Sequence, residues 1–153
     1  MNEALPLDFD IFSKHLSSDQ EETLHLSERL SKDLICGDFI SMHGPLGAGK
    51  TTFVKGLISA LTQTDINEIS SPTFSYLNVY EGPIKVHHFD LYRITNEEHL
   101  SQLGLYDFLT DKNAICIVEW PEKSKLCQSL ANIKINISYQ SAFERLIEIH
   151  RAS

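Results

Sequence analysis

The chain has 153 residues, of which 42% are hydrophobic and 22% charged, and its formal net charge at pH 7 is −8. That length suits one domain over residues 1–153 with a real hydrophobic core, and no apolar run approaches the ~18 residues of a membrane span. An acidic chain without Lys/Arg runs is poorly suited to gripping DNA or RNA alone, because phosphate neutralisation supplies most of such affinity.

Residues Met1 to Asp10 lack the basic and apolar segments of a secretion signal. Phe9 to His15 reads as a first strand. Ser18-Asp19-Gln20-Glu21 fits an S-x-x-E capping box, opening a helix toward Leu34 with Leu24, Leu30 and Leu34 inward and Gly37 ending it. Phe39 to His43 is a short, mostly apolar strand. Lys50 to Leu61 is a helix on which Phe53, Val54, Leu57, Ile58 and Leu61 form one apolar stripe.

Ser70-Ser71-Pro72-Thr73 predicts a rigid turn with free hydroxyls. Phe74 to Tyr80 and Ile84 to Asp90 read as two strands joined at Glu81-Gly82-Pro83. Thr95-Asn96-Glu97-Glu98 predicts a second capping box, with another helical turn between Gly104 and Leu109. Ala114 to Trp120 opens on four apolar residues, the pattern of a strand buried on both faces, and Pro121 ends it. Ile133, Ile135 and Ile137, then Ile147 and Ile149, alternate with polar residues and predict a terminal antiparallel hairpin with one wet face. The expected fold is a three-layer α/β domain whose mixed sheet has parallel central strands and antiparallel marginal ones.

Between the second strand and its helix lies Gly44-Pro45-Leu46-Gly47-Ala48-Gly49-Lys50-Thr51, which fits G-x-x-x-x-G-K-[ST]. Backbone N–H groups in such a loop point inward at phosphate oxygens, and Gly47 and Gly49 supply the backbone angles. Lys50, expected to face solvent in the empty loop, then meets the β- and γ-phosphates and the Thr51 hydroxyl binds Mg²⁺, while the helix that follows turns its positive end to the ligand. Strand, Gly-rich loop and helix is the context that this motif requires, and it predicts a P-loop NTPase fold binding a nucleotide.

Mg²⁺ also calls for an acid at the end of an apolar strand. Glu119, after Ile115-Cys116-Ile117-Val118, fits better than Asp90, after Val86-His87-His88-Phe89. Asp90 has a competing reading as a partner for Arg93. Adjacent His87 and His88 on a strand point to opposite faces, so they cannot chelate one ion together, and one packed with one exposed is expected. Trp120 fits either the core or the nucleotide site. Cys36, Cys116 and Cys127 are odd in number and form no C-x-x-C pair, which suits reduced thiols in a cytosolic protein better than a disulfide frame or zinc site.

Four blocks together resemble the TsaE (YjeE) family, P-loop proteins required for threonylcarbamoyladenosine on transfer RNA. They are Gly44 to Phe53, Ser71-Pro72-Thr73-Phe74, His88-Phe89-Asp90-Leu91-Tyr92-Arg93 and Val118-Glu119-Trp120-Pro121, and the resemblance spans Ser18 to Ile149. Pro45 stands where relatives often have Asp, ahead of the phosphate cradle. The resemblance implies a cytoplasmic ATPase, slow alone, that acts on a TsaB–TsaD pair and meets transfer RNA only through it, with no DNA or membrane partner. It implies nucleotide contacts from Gly44, Leu46, Gly47, Ala48, Gly49, Lys50, Thr51 and Thr52, with adenine near Gln20, Thr23 and Arg145. Mg²⁺ falls to Thr51 and Glu119, positioning of the attacking water or of the metal's water shell to Asp90, and phosphate or partner sensing to Ser71, Pro72, Thr73, Arg93 and Trp120. A phosphotransferase, or an adaptor that binds nucleotide without turning it over, would keep the same loop. Phosphate release without an acceptor separates both from an ATPase.

Overall fold

The computed structural model describes residues 11–152. The readings for Met1 to Asp10, including the start of the first strand, lie outside the described residues. Seven strands form one sheet: β1 (Ile11–Ser17), β2 (Phe39–His43), β3 (Leu77–Tyr80), β4 (Lys85–Asp90), β5 (Ala114–Glu119), β6 (Ile133–Tyr139) and β7 (Arg145–Arg151). Their order is β1-β7-β6-β2-β5-β4-β3. The central pairs β6–β2, β2–β5 and β5–β4 are parallel, and β1–β7, β7–β6 and β4–β3 are antiparallel, as expected.

Helices cover both faces, so strand alternation sorts the core into two layers. Against α1 (Gln20–Ser31) and α2 (Lys50–Thr62) lie Ile40, Met42, Ile115, Ile117 and the inward isoleucines of the terminal hairpin. The opposite layer holds Phe39, Phe89, Cys116 and Val118 with Leu100 of α3 (Glu97–Gln102), Leu109 of α4 (Tyr106–Leu109) and Cys127 of α5 (Lys125–Leu130). Phe53, Val54, Leu57 and Ile58 are fully buried, because the α2 stripe lies flat on the central strands.

Local details depart from the sequence reading. Both capping boxes sit one residue later than expected. Asp19, not Ser18, accepts the Glu22 N–H at 2.8 Å, and Asn96, not Thr95, accepts the His99 N–H at 2.9 Å. Asx side chains cap as well as hydroxyls, so adjacent candidates compete and the geometry of the entering chain selects one. Helix α1 stops at Ser31, and Gly37 instead anchors the next strand, donating its N–H to the Ala114 carbonyl at 2.9 Å. Leu24 is only half-buried, whereas Leu26 and Leu30 face the core. Strand β3 begins at Leu77 rather than Phe74, because Tyr76 at φ 66° closes a turn onto the Pro72 carbonyl. Helix α5 carries little periodic signal and is set by Ser124, which caps it, and by Glu97, which holds Ser124 and the Leu126 N–H.

Candidate functional site

The loop from Gly44 to Gly49 joins the end of β2 to the start of α2. Gly44, Gly47 and Gly49 adopt φ of 147°, 77° and 102°, backbone that a Cβ disfavours. A Cβ on Gly44 would also fall 2.3 Å from the Ile137 carbonyl oxygen of β6, so this glycine is needed for packing too.

A cleft of about 720 Å³ opens over this loop at the carboxyl ends of β4 and β5. It is lined by the loop from Leu46 to Thr52, by Gln20 and Thr23 of α1, by Ser71 and Thr73, by Asp90, Glu119 and Trp120, and by Arg145. Three residues of the sequence-derived set stand outside the lining. Gly44 acts through its carbonyl, Pro72 is buried behind the turn, and Arg93 is exposed with its guanidinium 4.8 Å from the Phe74 ring centre. Ser17, Asp19, Tyr92, Ala142 and Phe143 also line the cleft. None lies in a phosphate-binding signature, and only the folded sheet brings them to this rim.

The sequence reading leaves Lys50 in solvent, and the structure does not. Lys50 is 6% exposed, donates from Nζ to the Gly44 carbonyl at 2.6 Å, and has that ammonium 3.6 Å from the Trp120 ring centre. Trp120 reaches over it because its own backbone is left-handed, at φ 59° and ψ 48°, turning the chain sharply after β5. Tyr92 packs against the same indole, with ring centres 5.1 Å apart. Burial pulls the Lys50 pKa below the usual lysine range, while Glu119, Glu122 and Asp90 pull it back.

Asp90 and Glu119 are partners in the β4–β5 register. Both fall on the α2 face, because they share strand parity with Val86 and with Ile115 and Ile117 of that layer. They are 5% and 2% exposed. Asp90 Oδ2 accepts the Ser71 hydroxyl at 2.7 Å and the Thr73 hydroxyl at 3.5 Å, and Oδ1 accepts the Tyr92 N–H at 2.9 Å. The Ser71 and Thr73 hydroxyls are therefore engaged rather than free. Asp90 is held by these donors, while Arg93 lies over Phe74.

Glu119 Oε1 accepts a long hydrogen bond from the Thr51 hydroxyl at 3.5 Å, and Oε2 lies 2.7 Å from His88 Nε2. His87 and His88 do take opposite faces, yet both are buried, at 2% and 1% exposure. Helices on both sides of β4 leave neither face wet. His87 donates from Nδ1 to the Phe108 carbonyl at 2.9 Å.

A mixed sheet, a Gly-rich loop entering α2 and two strand-end carboxylates beside it define the P-loop class of nucleotide-binding folds. Solved structures agree: Bacillus subtilis YdiB superposes with a TM-score of 0.72 at 27% identity, over 94% of this chain and 87% of that one. The family model for threonylcarbamoyl adenosine biosynthesis protein TsaE matches residues 17–147. The chain belongs to the TsaE family. Similar relatives, each named tRNA threonylcarbamoyladenosine biosynthesis protein TsaE, come from Nostoc, Aquifex aeolicus and Rickettsia prowazekii. They are 38%, 34% and 30% identical, over 92%, 82% and 90% of this chain and 86%, 90% and 94% of theirs. Among the described residues no helix is long and apolar enough to cross a membrane.

Proposed function

We propose that this chain binds ATP with Mg²⁺ in the cleft and hydrolyses it to drive a TsaB–TsaD-type complex through its cycle of transfer RNA modification. The observation that carries this reading is the strand-end pair Asp90 and Glu119, in register and on the α2 face, with Glu119 3.5 Å from the P-loop Thr51. The volume of about 720 Å³ falls within the usual span of small-molecule sites.

The donor set fits Mg²⁺, which takes hard oxygen ligands, keeps several waters and needs only one or two carboxylates beside the substrate phosphates. Thr51 and Glu119 would hold it. Once bound it neutralises charge developing on the phosphate oxygens. The backbone N–H groups of Gly47 to Thr52 wrap the phosphates, and Lys50 exchanges the Gly44 carbonyl for phosphate oxygen without leaving the Trp120 face. Asp90, held in place by three donors, accepts a hydrogen bond from water and orients it. Ser71 and Thr73 touch the same carboxylate, so a change at the phosphates reaches the Ser71-Pro72-Thr73 turn through one side chain. Gln20, Thr23 and Arg145, which line the cleft, would take the base, and the Arg145 guanidinium lies 4.1 Å from the Tyr139 ring centre.

Slow turnover alone follows from the arginines. Arg93 is outside the cleft lining and Arg145 is stacked, so charge on the transferring group lacks a dedicated guanidinium. An arginine supplied by a partner adds ~10³–10⁵ to turnover in P-loop enzymes. The net charge of −8 favours docking on a basic partner surface over direct contact with RNA. Phosphate release at fixed ATP should therefore be slow for the isolated chain and rise steeply with the TsaB–TsaD pair, transfer RNA acting only when that pair is present. Fast release by the chain alone, unchanged by either addition, refutes the accessory role.

A further inference from the structure

His88 is 1% exposed on β4, two residues before Asp90 and on the same face of the strand. Its Nε2 lies 2.7 Å from Glu119 Oε2 across the β4–β5 pair. The other ring nitrogen, Nδ1, is buried without any hydrogen-bond partner among the described residues. A carboxylate oxygen can only accept, so Nε2 carries a ring proton and donates it to Glu119. Burying Nδ1 without a partner is unfavourable, a cost that an apolar side chain filling the same space would avoid.

The consequence falls on Glu119. A glutamate has three side-chain torsions, and a strand-end glutamate with no partner samples several rotamers. Here one oxygen is fixed by the imidazole and the other is turned to Thr51 at 3.5 Å. We infer that His88 is a positioning residue for Glu119, its Nε2–H holding one carboxylate oxygen so that the other is presented beside Thr51 to a divalent cation. The inference rests on the proposed nucleotide and Mg²⁺ site, and it assigns Glu119 one available oxygen rather than a bidentate grip. Outer-shell partners of this kind set metal affinity by about 10–100-fold, because they fix the ligand's orientation before the ion arrives.

Two measurements test it. In the nucleotide-free, metal-free chain, nitrogen-15 NMR of the imidazoles should show a proton on His88 Nε2. The Nδ1–H tautomer overturns the inference whatever the site binds. The second reads the Mg²⁺ concentration at half-maximal enhancement of ADP binding, followed by calorimetry in the whole chain. His88→Phe removes the donor and should raise that midpoint about 10–100-fold, while ADP affinity in EDTA stays within threefold of wild type. His88→Gln, whose amide nitrogen reaches about where Nε2 does, should return the midpoint to within threefold. If His88→Phe fails to fold, His88→Asn replaces it, since its shorter amide cannot reach Glu119. An unchanged midpoint in a folded donor-less variant, or an equal loss of ADP affinity in EDTA and in Mg²⁺, overturns the inference in favour of simple packing. If wild type binds ADP no better with Mg²⁺ than with EDTA, the metal site fails first and the inference falls with it.

Discussion

Replacing Lys50 by alanine separates the chemistry of the loop from its structural role. An ammonium about 4 Å from a phosphate charge, at an effective dielectric near 20, contributes about 4 kcal/mol, and 1.4 kcal/mol is tenfold in affinity. Lys50→Ala should thus weaken ATP binding about 1,000-fold. Stability responds differently. The variant loses a charge-assisted hydrogen bond to the Gly44 carbonyl, about 1.5–3 kcal/mol, and the contact with Trp120, about 1–2 kcal/mol. Against that, it no longer holds an ammonium at 6% exposure, a burial that costs several kcal/mol. The opposing terms leave a net change of about 1 kcal/mol, or about 2–4 °C in Tm for a domain of this size. Calorimetric titration with ATP and Mg²⁺ gives the first number, and urea unfolding the second. ATP affinity within threefold of wild type would refute the phosphate role. A loss of several kcal/mol of stability would show that the lysine is chiefly a structural strut.

Glu119→Gln should abolish the Mg²⁺ dependence of nucleotide binding, whereas Asp90→Asn should leave binding intact and lower turnover about 10²–10⁴-fold; steady-state phosphate release and calorimetry on both variants would expose a reversal of roles. Gly44→Ala drives a Cβ to 2.3 Å from the Ile137 carbonyl at a φ of 147°. It should cost about 2–6 kcal/mol in urea unfolding, the sum of about 1–3 each for clash and backbone strain. Burial pushes the Cys116 thiol up to about 12 and the Cys127 thiol up to about 11. Ellman's reagent at pH 8 should therefore modify exposed Cys36 quickly in the native chain and all three thiols only after denaturation. Rapid native modification of Cys116 would place the α4–β5 side of the core in error.

Several features of this protein are written in short stretches of sequence. The Gly44–Thr51 loop is legible because phosphate binding constrains consecutive backbone angles, and every residue that meets the constraint lies within eight positions. The four apolar residues before Glu119 mark a strand covered on both faces, and the alternation at Ile133–Ile137 and Ile147–Ile149 marks a hairpin with one wet face. Each is a repeat imposed by local geometry. Tertiary structure alone decided which side chains meet. Lys50 is buried because Trp120, seventy positions away, turns back over it in a left-handed conformation that no spacing announces. His88 reaches Glu119 only because β4 and β5 are neighbours in a particular register, and a shift of one residue between them would put the two side chains on opposite faces. The Ser71 and Thr73 hydroxyls, which as sequence look free, are engaged by Asp90 through the turn closed at Tyr76. Backbone rules act over a handful of residues and can be read in order along the chain. Side-chain partnerships across the cleft depend on strand order and burial, which exist only once the sheet has formed.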